Sequence, residues 1–154
     1  METNSSITIG GQLEEVYGYA SVIERWPEIL PHYRSVRIIQ PGERERLVSM
    51  HCVRAFGVLH WQCRWRALQE LRPEEGRILF SHVSGPARGM KVEWLLERKT
   101  DGTQTTIRHW QTSDRGLVSK FYWNRVLGPI FIRSIAEQTL ACIKRLVEGE
   151  TSNG

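Results

Sequence analysis

His82 and His109 are the two residues whose type and position most invite chemistry. Imidazole titrates near neutral pH, so it can take and return a proton within one turnover. His82 shares its alternation with Ile78 and Phe80, and His109 shares its own with Thr105 and Ile107. In a strand, each would stand on a face with apolar neighbours. Two roles fit that placement: an acid/base inside a cavity, or a hydrogen-bonded histidine at a strand end. His32, His51 and His60 read as exposed. No HxxxH pair or His/Asp/Glu spacing marks a metal site, and no cofactor is expected. GxSxG, the phosphate-binding loop and GxGxxG are all missing, which argues against the hydrolase, NTPase and dinucleotide classes that carry them.

The chain around these residues has the composition of one globular domain. Its 154 residues are 40% hydrophobic and 25% charged. A single domain over 1–154 is expected, with an ordered core of about residues 5–148. No apolar run is long enough to span a bilayer, and Met1–Ser6 lacks the basic and apolar regions of a signal peptide. A cytoplasmic protein without stable membrane insertion is expected, as monomer or homodimer. Cys52, Cys63 and Cys142 form no CxxC pair and read as free thiols. The net charge of +4 is spread along the chain. Arg44, Arg46, Arg54, Arg64, Arg66 and Arg72 are mixed with Glu43, Glu45 and Glu70, as on a solvated sheet face. No nucleic-acid signature accompanies them, so nucleic acid is not an expected partner.

The elements that position the histidines follow from hydrophobic period. From Pro129 to Glu148, Ile132, Ile135, Ala136, Thr139, Leu140, Ile143, Leu146 and Val147 trace one stripe of a long helix. Ahead of it the chain is mostly strand-like. Ile7 and Ile9 start a first strand that turns at Gly10-Gly11. Leu13 to about Ile23 has helical spacing, and Pro27 and Pro31 bracket a second short helix. Six strands then follow: from Tyr33, Leu47–Val53, Val58–Leu71, Arg77–Val83, Met90–Leu96 and Thr103–Trp110. In the fourth strand Trp61, Cys63, Trp65 and Ala67 share one face, and His60, Gln62, Arg64 and Arg66 share the other. The tail from Gly149 reads as disordered, and Gly116–Leu127 as an extra helical segment. The predicted class is α+β: a curved, antiparallel seven-stranded sheet wrapped around a long C-terminal helix, with two short helices after the first strand.

This order, with Trp26-Pro27-Glu28-Ile29-Leu30-Pro31-His32-Tyr33, Ser84-Gly85-Pro86 through Met90-Lys91-Val92-Glu93-Trp94, and Gly102-Thr103, resembles the START-like (SRPBCC, helix-grip) superfamily. Within it, the chain looks most like the polyketide aromatase/cyclases and the coenzyme Q-binding START-like proteins. The resemblance implies a deep apolar cavity between sheet and helix that holds a hydrophobic small molecule. A polyketide, quinone or lipid would be the ligand, and an acyl carrier protein a further partner. It also implies working groups: a Tyr after the Trp-Pro helix, which Tyr33 matches, and an Arg on the inner face of the fourth strand. The pleat places Arg64 outward, and a one-residue slip of register would bring Arg64 or Arg66 in.

The cavity so implied would be lined by Trp26, Tyr33, Trp61, Cys63, Trp65, Phe80, Met90, Val92, Trp94 and Ile107 from the first helices and the sheet. The long helix would add Ile132, Ile135, Ala136 and Thr139, and Phe121 would stand at the mouth. Three functions remain open on the residues alone: a cyclase or dehydrase using Tyr33 with His82, His109 or Arg64; a lipid or quinone carrier without chemistry; and a domain whose aromatics simply fill the core.

Overall fold

The computed structural model describes residues 2–56, 58–111 and 130–152. The strands are β1 (Glu2–Ile9), β2 (Tyr33–Gln40), β3 (Glu45–Phe56), β4 (Leu59–Arg72), β5 (Arg77–Ser84), β6 (Met90–Lys99) and β7 (Gly102–Gln111). Between β1 and β2 lie α1 (Leu13–Ser21), a 3-10 turn (Ile23–Arg25) and α2 (Trp26–Ile29). The long helix is α3 (Arg133–Ser152). All strands pair antiparallel in the order β1-β7-β6-β5-β4-β3-β2, so the first strand closes against the last. The meander arises because each connection between β2 and β7 is short enough to fold back on its own strand.

Both ends are more regular than hydrophobic pattern suggests. β1 starts at Glu2, not Ile7. Thr3 and Ser5 take its inward positions and pair with His109 and Ile107. Small polar residues fit there because backbone pairing to β7 carries the strand. The helix continues past Glu148 to Ser152. Its first regular turn begins at Arg133, after a wider, π-type turn over residues 130–132. The expected helical segment Gly116–Leu127 lies outside the described residues.

The concave face carries the core. Met50, Cys52, Cys63, Ala67, Ile78, Phe80, Val92, Trp94 and Ile107 are buried under α3 and the short helices. On β4 the predicted pleat holds: Cys63, Ala67 and Gln69 are buried, and Gln62, Arg64 and Arg66 are exposed. Gln69 is a polar residue on the dry face, and both ends of its amide are paired. Its Nε2 donates to the Ser21 carbonyl at 3.1 Å, and its Oε1 accepts from Arg46 Nε at 2.5 Å. Arg46 also donates to the Ser21 carbonyl at 3.0 Å and pairs with Glu24. This network satisfies the carbonyl at the end of α1 and ties that helix to β3 and β4.

At its C-terminal end α3 is seated against the β1–α1 corner. Lys144 Nζ donates to the Thr8 carbonyl at 2.7 Å and to Glu148 Oε1 at 2.7 Å. The same carboxylate oxygen accepts from the Gly10 amide at 2.9 Å. Gly11 makes the approach possible, since a Cβ there would stand 2.3 Å from Val147 Cγ1. Gly11→Ala should therefore cost about 1–3 kcal/mol by overpacking. Combined with Val147→Ala it should cost less than the sum of the two single changes, as read from urea unfolding midpoints. Strict additivity would show that the two residues do not share the contact.

Candidate functional site

Toward its N-terminal end α3 stands off the sheet, and a cavity of about 80 Å³ lies between them. Trp26 and Tyr33 wall it from the α2–β2 corner, with Cys63 and Trp65 from β4. Phe80 and His82 come from β5, Met90, Val92 and Trp94 from β6, and Ile107 and His109 from β7. From the helix side come Ile132, Ile135, Ala136 and Thr139. Met50, Ala87 and Phe131 also line it and were not anticipated. Met50 follows from its pairing with Trp65, and Ala87 from the Gly85–Gly89 turn folding back over β4. Phe131 belongs to the wide turn that precedes α3, which no periodicity announces.

The aromatic residues form a connected set. Trp26 meets Tyr33 edge-on at 4.9 Å between ring centroids and leans on Trp94 at 5.9 Å. Its indole N–H donates to the Tyr19 carbonyl at 2.9 Å, which fixes the ring without using cavity space. Trp65 stacks flat on His82 at 5.5 Å with 7° between the planes. Such contacts hold each ring in one orientation.

Arg64 does not join this set. It is exposed on the outer face of β4, as is Arg66, because Cys63 and Trp65 hold the inward positions. A strand cannot turn both sets inward at once. His32, expected at the surface, is buried, and its Nε2 lies 2.8 Å from Thr139 Oγ1. The turn after α2 folds the residue under α3, and nothing in local sequence signals that. Phe121 lies outside the described residues, and so does the side chain of Trp61.

The cavity's polar atoms are few and under-used. Among the described residues, His82 Nδ1, His109 Nδ1 and Trp65 Nε1 are shielded from solvent and have no hydrogen-bond partner. Burial lowers the His82 imidazole from 6.5 to about 4. Burial first, and the neighbouring His82 second, lower His109 from 6.5 to about 3. Both are thus neutral at pH 7, each with one N–H and one lone pair. Burial, with smaller effects of Cys52 and Cys63, holds the Tyr33 phenol well above its usual value, so it stays a donor. Burial also raises the Cys63 thiol to about 11, which keeps it protonated. Among the described residues no group of three or more His, Cys, Asp or Glu could hold a metal ion, and no helix is long and apolar enough to cross a membrane.

A curved sheet gripping one helix around an apolar internal space is the helix-grip, START-like architecture. The chain belongs to the family described as polyketide cyclase/dehydrase and lipid transport, whose model it matches over residues 9–114. A granaticin polyketide synthase bifunctional cyclase/dehydratase from Streptomyces virginiae is 29% identical over 80 residues. That match covers 52% of this chain and only 25% of the relative's own length. Among solved structures, a protein from Thermus thermophilus superposes with a TM-score of 0.80 at 17% identity, covering 97% of this chain and 99% of its own. The Zhui aromatase/cyclase from a Streptomyces species gives 0.71 at 16% identity, covering 95% of each chain. At such identities the superpositions establish the fold.

The two imidazoles make a pH prediction. Their folded values lie below the unfolded value of 6.5, so the unfolded chain binds more protons between those limits. Stability should be full above about pH 6.5 and fall as the pH drops toward about 4 and about 3. The steepest loss should be about 1.4 kcal/mol per pH unit for each histidine. Urea unfolding from pH 7 to about 4.5 measures it, and His82→Gln should flatten the slope. An unchanged slope in that variant would show that His82 titrates freely in the folded chain.

Proposed function

We propose that the chain binds a neutral, oxygen-bearing apolar molecule of the polyketide type in this cavity, which at about 80 Å³ must widen to admit it, and acts on it as a cyclase or dehydrase. The observation that carries the reading is the pair of neutral imidazoles, His82 and His109, whose buried Nδ1 atoms have no hydrogen-bond partner among the described residues. Leaving such atoms unpaired costs about 1–3 kcal/mol each, a cost that a ligand's carbonyl or hydroxyl would relieve. The family match over residues 9–114 supports the same class of molecule.

Ring closure of a poly-β-ketone needs little from the protein. An enol carbon attacks a ketone carbon, a C–C bond forms, and the enol proton ends on the new alkoxide. Dehydration then removes a carbon-bound proton and the hydroxyl as water. Neither step is a redox reaction. A neutral imidazole can hold the reacting oxygens, since it accepts on one nitrogen and donates on the other. With His82 lowered to about 4 and His109 to about 3, each would act by hydrogen bonding more than as a strong base. Tyr33, kept protonated, would donate to the ketone oxygen as charge develops there. The aromatic walls of Trp26, Trp65 and Trp94 would decide which carbons meet.

A second reading, a carrier without chemistry, has one specific observation in its favour. None of the residues described as lining the cavity is Arg, Lys, Asp or Glu, so no fixed charge is there to stabilise an enolate. Turnover of a poly-β-ketone substrate separates the two. Under the enzyme reading, Tyr33→Phe and His82→Gln should each lower kcat by about 10²–10⁴-fold while the ligand still binds. Wild-type protein that binds the substrate and leaves it unchanged would establish the carrier.

A further inference from the structure

The His32–Thr139 hydrogen bond has no role in ring closure or dehydration, and it places a second polar station in the cavity. Thr139 lines the cavity from α3, whereas His82, His109 and Trp65 line it from the sheet. Both His32 and Thr139 are buried, and their polar atoms meet at 2.8 Å. The other residues that α3 and the turn before it are described as presenting to the cavity are Phe131, Ile132, Ile135 and Ala136, so Thr139 is the one polar residue among them.

The hydroxyl also has capacity to spare. It can donate one hydrogen bond and accept others. If His32 Nε2 donates to it, the Thr139 proton is free for a ligand. If His32 Nε2 accepts from it, the Thr139 lone pairs are free. Either way His32 fixes the direction of the hydroxyl before a ligand arrives, which removes part of the ordering cost of binding. Tyr33, whose ring lies 4.8 Å from that of His32, closes the same corner.

We infer that the cavity is built for a ligand with oxygen functions at two ends of an apolar body, one bound at the sheet by His82, His109 and Trp65 and the other at the helix by Thr139 held by His32. An aliphatic lipid tail would meet the apolar walls, leave the sheet station unpaired and make no use of the spare capacity of the Thr139 hydroxyl. A flat aromatic or cyclising molecule with oxygens on opposite edges satisfies both. Thr139 is thus a specificity-determining residue, and His32 positions it. This inference rests on the proposed binding of an apolar molecule in the cavity.

Three probes of one shape and increasing polarity test it: naphthalene, 2-naphthol and 2,6-dihydroxynaphthalene. Dissociation constants are measured by quenching of tryptophan fluorescence and checked by calorimetry. Each hydroxyl should tighten binding by roughly five-fold, the worth of one net hydrogen bond in each case. In Thr139→Val the diol should fall to the affinity of 2-naphthol, with naphthalene unchanged. Thr139→Ser, which keeps the hydroxyl, should restore the preference. Equal affinity of wild type for all three probes overturns the two-station inference and leaves the binding cavity standing. Failure of every probe to bind, naphthalene included, removes the cavity reading itself. Loss of naphthalene binding in Thr139→Val that Thr139→Ser reverses would assign the hydroxyl to holding the cavity's shape through His32 and also overturn the inference.

Discussion

The structure depends on how α3 sits in the curve of the sheet. Its C-terminal half is in contact with the β1–α1 corner, where Gly11 admits Val147 and the Lys144 and Glu148 side chains meet the backbone of Thr8 and Gly10. Its N-terminal half faces the middle of the sheet across a wall of aromatics and leaves room. One rigid helix cannot follow a twisted, concave sheet along its whole length. Seating it at one end therefore opens space at the other. The cavity is a consequence of that geometry.

That space is walled mostly by apolar side chains, and its chemistry follows from burial. Burial keeps His82 and His109 neutral and Tyr33 and Cys63 protonated. A cavity whose titratable groups are all uncharged at pH 7 favours a neutral ligand, because bringing in a charge would cost several kcal/mol without a partner. The few polar atoms gain importance for the same reason. In water, a hydrogen bond to Thr139 or to an imidazole nitrogen would compete with solvent. Enclosed, each one decides whether a ligand oxygen is paired or stranded.

The family defines an architecture within which each chain places its own groups. Here the guanidinium that the family resemblance implies on the inner face of the fourth strand is absent from it, since Arg64 and Arg66 face solvent. The polar groups that do reach the interior arrive elsewhere: imidazoles on β5 and β7, and a hydroxyl on α3 backed by His32. Stacking of Trp65 on His82 occupies the inward place on β4 and fixes the imidazole plane at once.

Sequence by itself determined the element order, the faces of the strands and the inward side of the helix. Those follow from periods of two and 3.6, which each short stretch carries within itself. Cys63 and Trp65 against Arg64 and Arg66 is such a case, and so is the stripe from Ile132 to Val147. The Asp101-Gly102 pair between the sixth and seventh strands is likewise a hairpin signal that the chain carries locally, and there Gly102 has a φ of 142° and a Cβ would stand 2.1 Å from the Ile9 carbonyl oxygen. The tertiary structure alone decided what lies between residues far apart in the chain. His32 is a polar residue in a proline-flanked turn and reads as exposed, yet α3 folds over it and supplies Thr139 as its partner 107 positions later. Gln69 sits on a dry face because Ser21 and Arg46 converge on it. Local pattern records which side of an element is apolar. It cannot record which distant polar atom will arrive to satisfy a buried one, because that pairing exists only when the helix, the corner and the sheet have closed on each other.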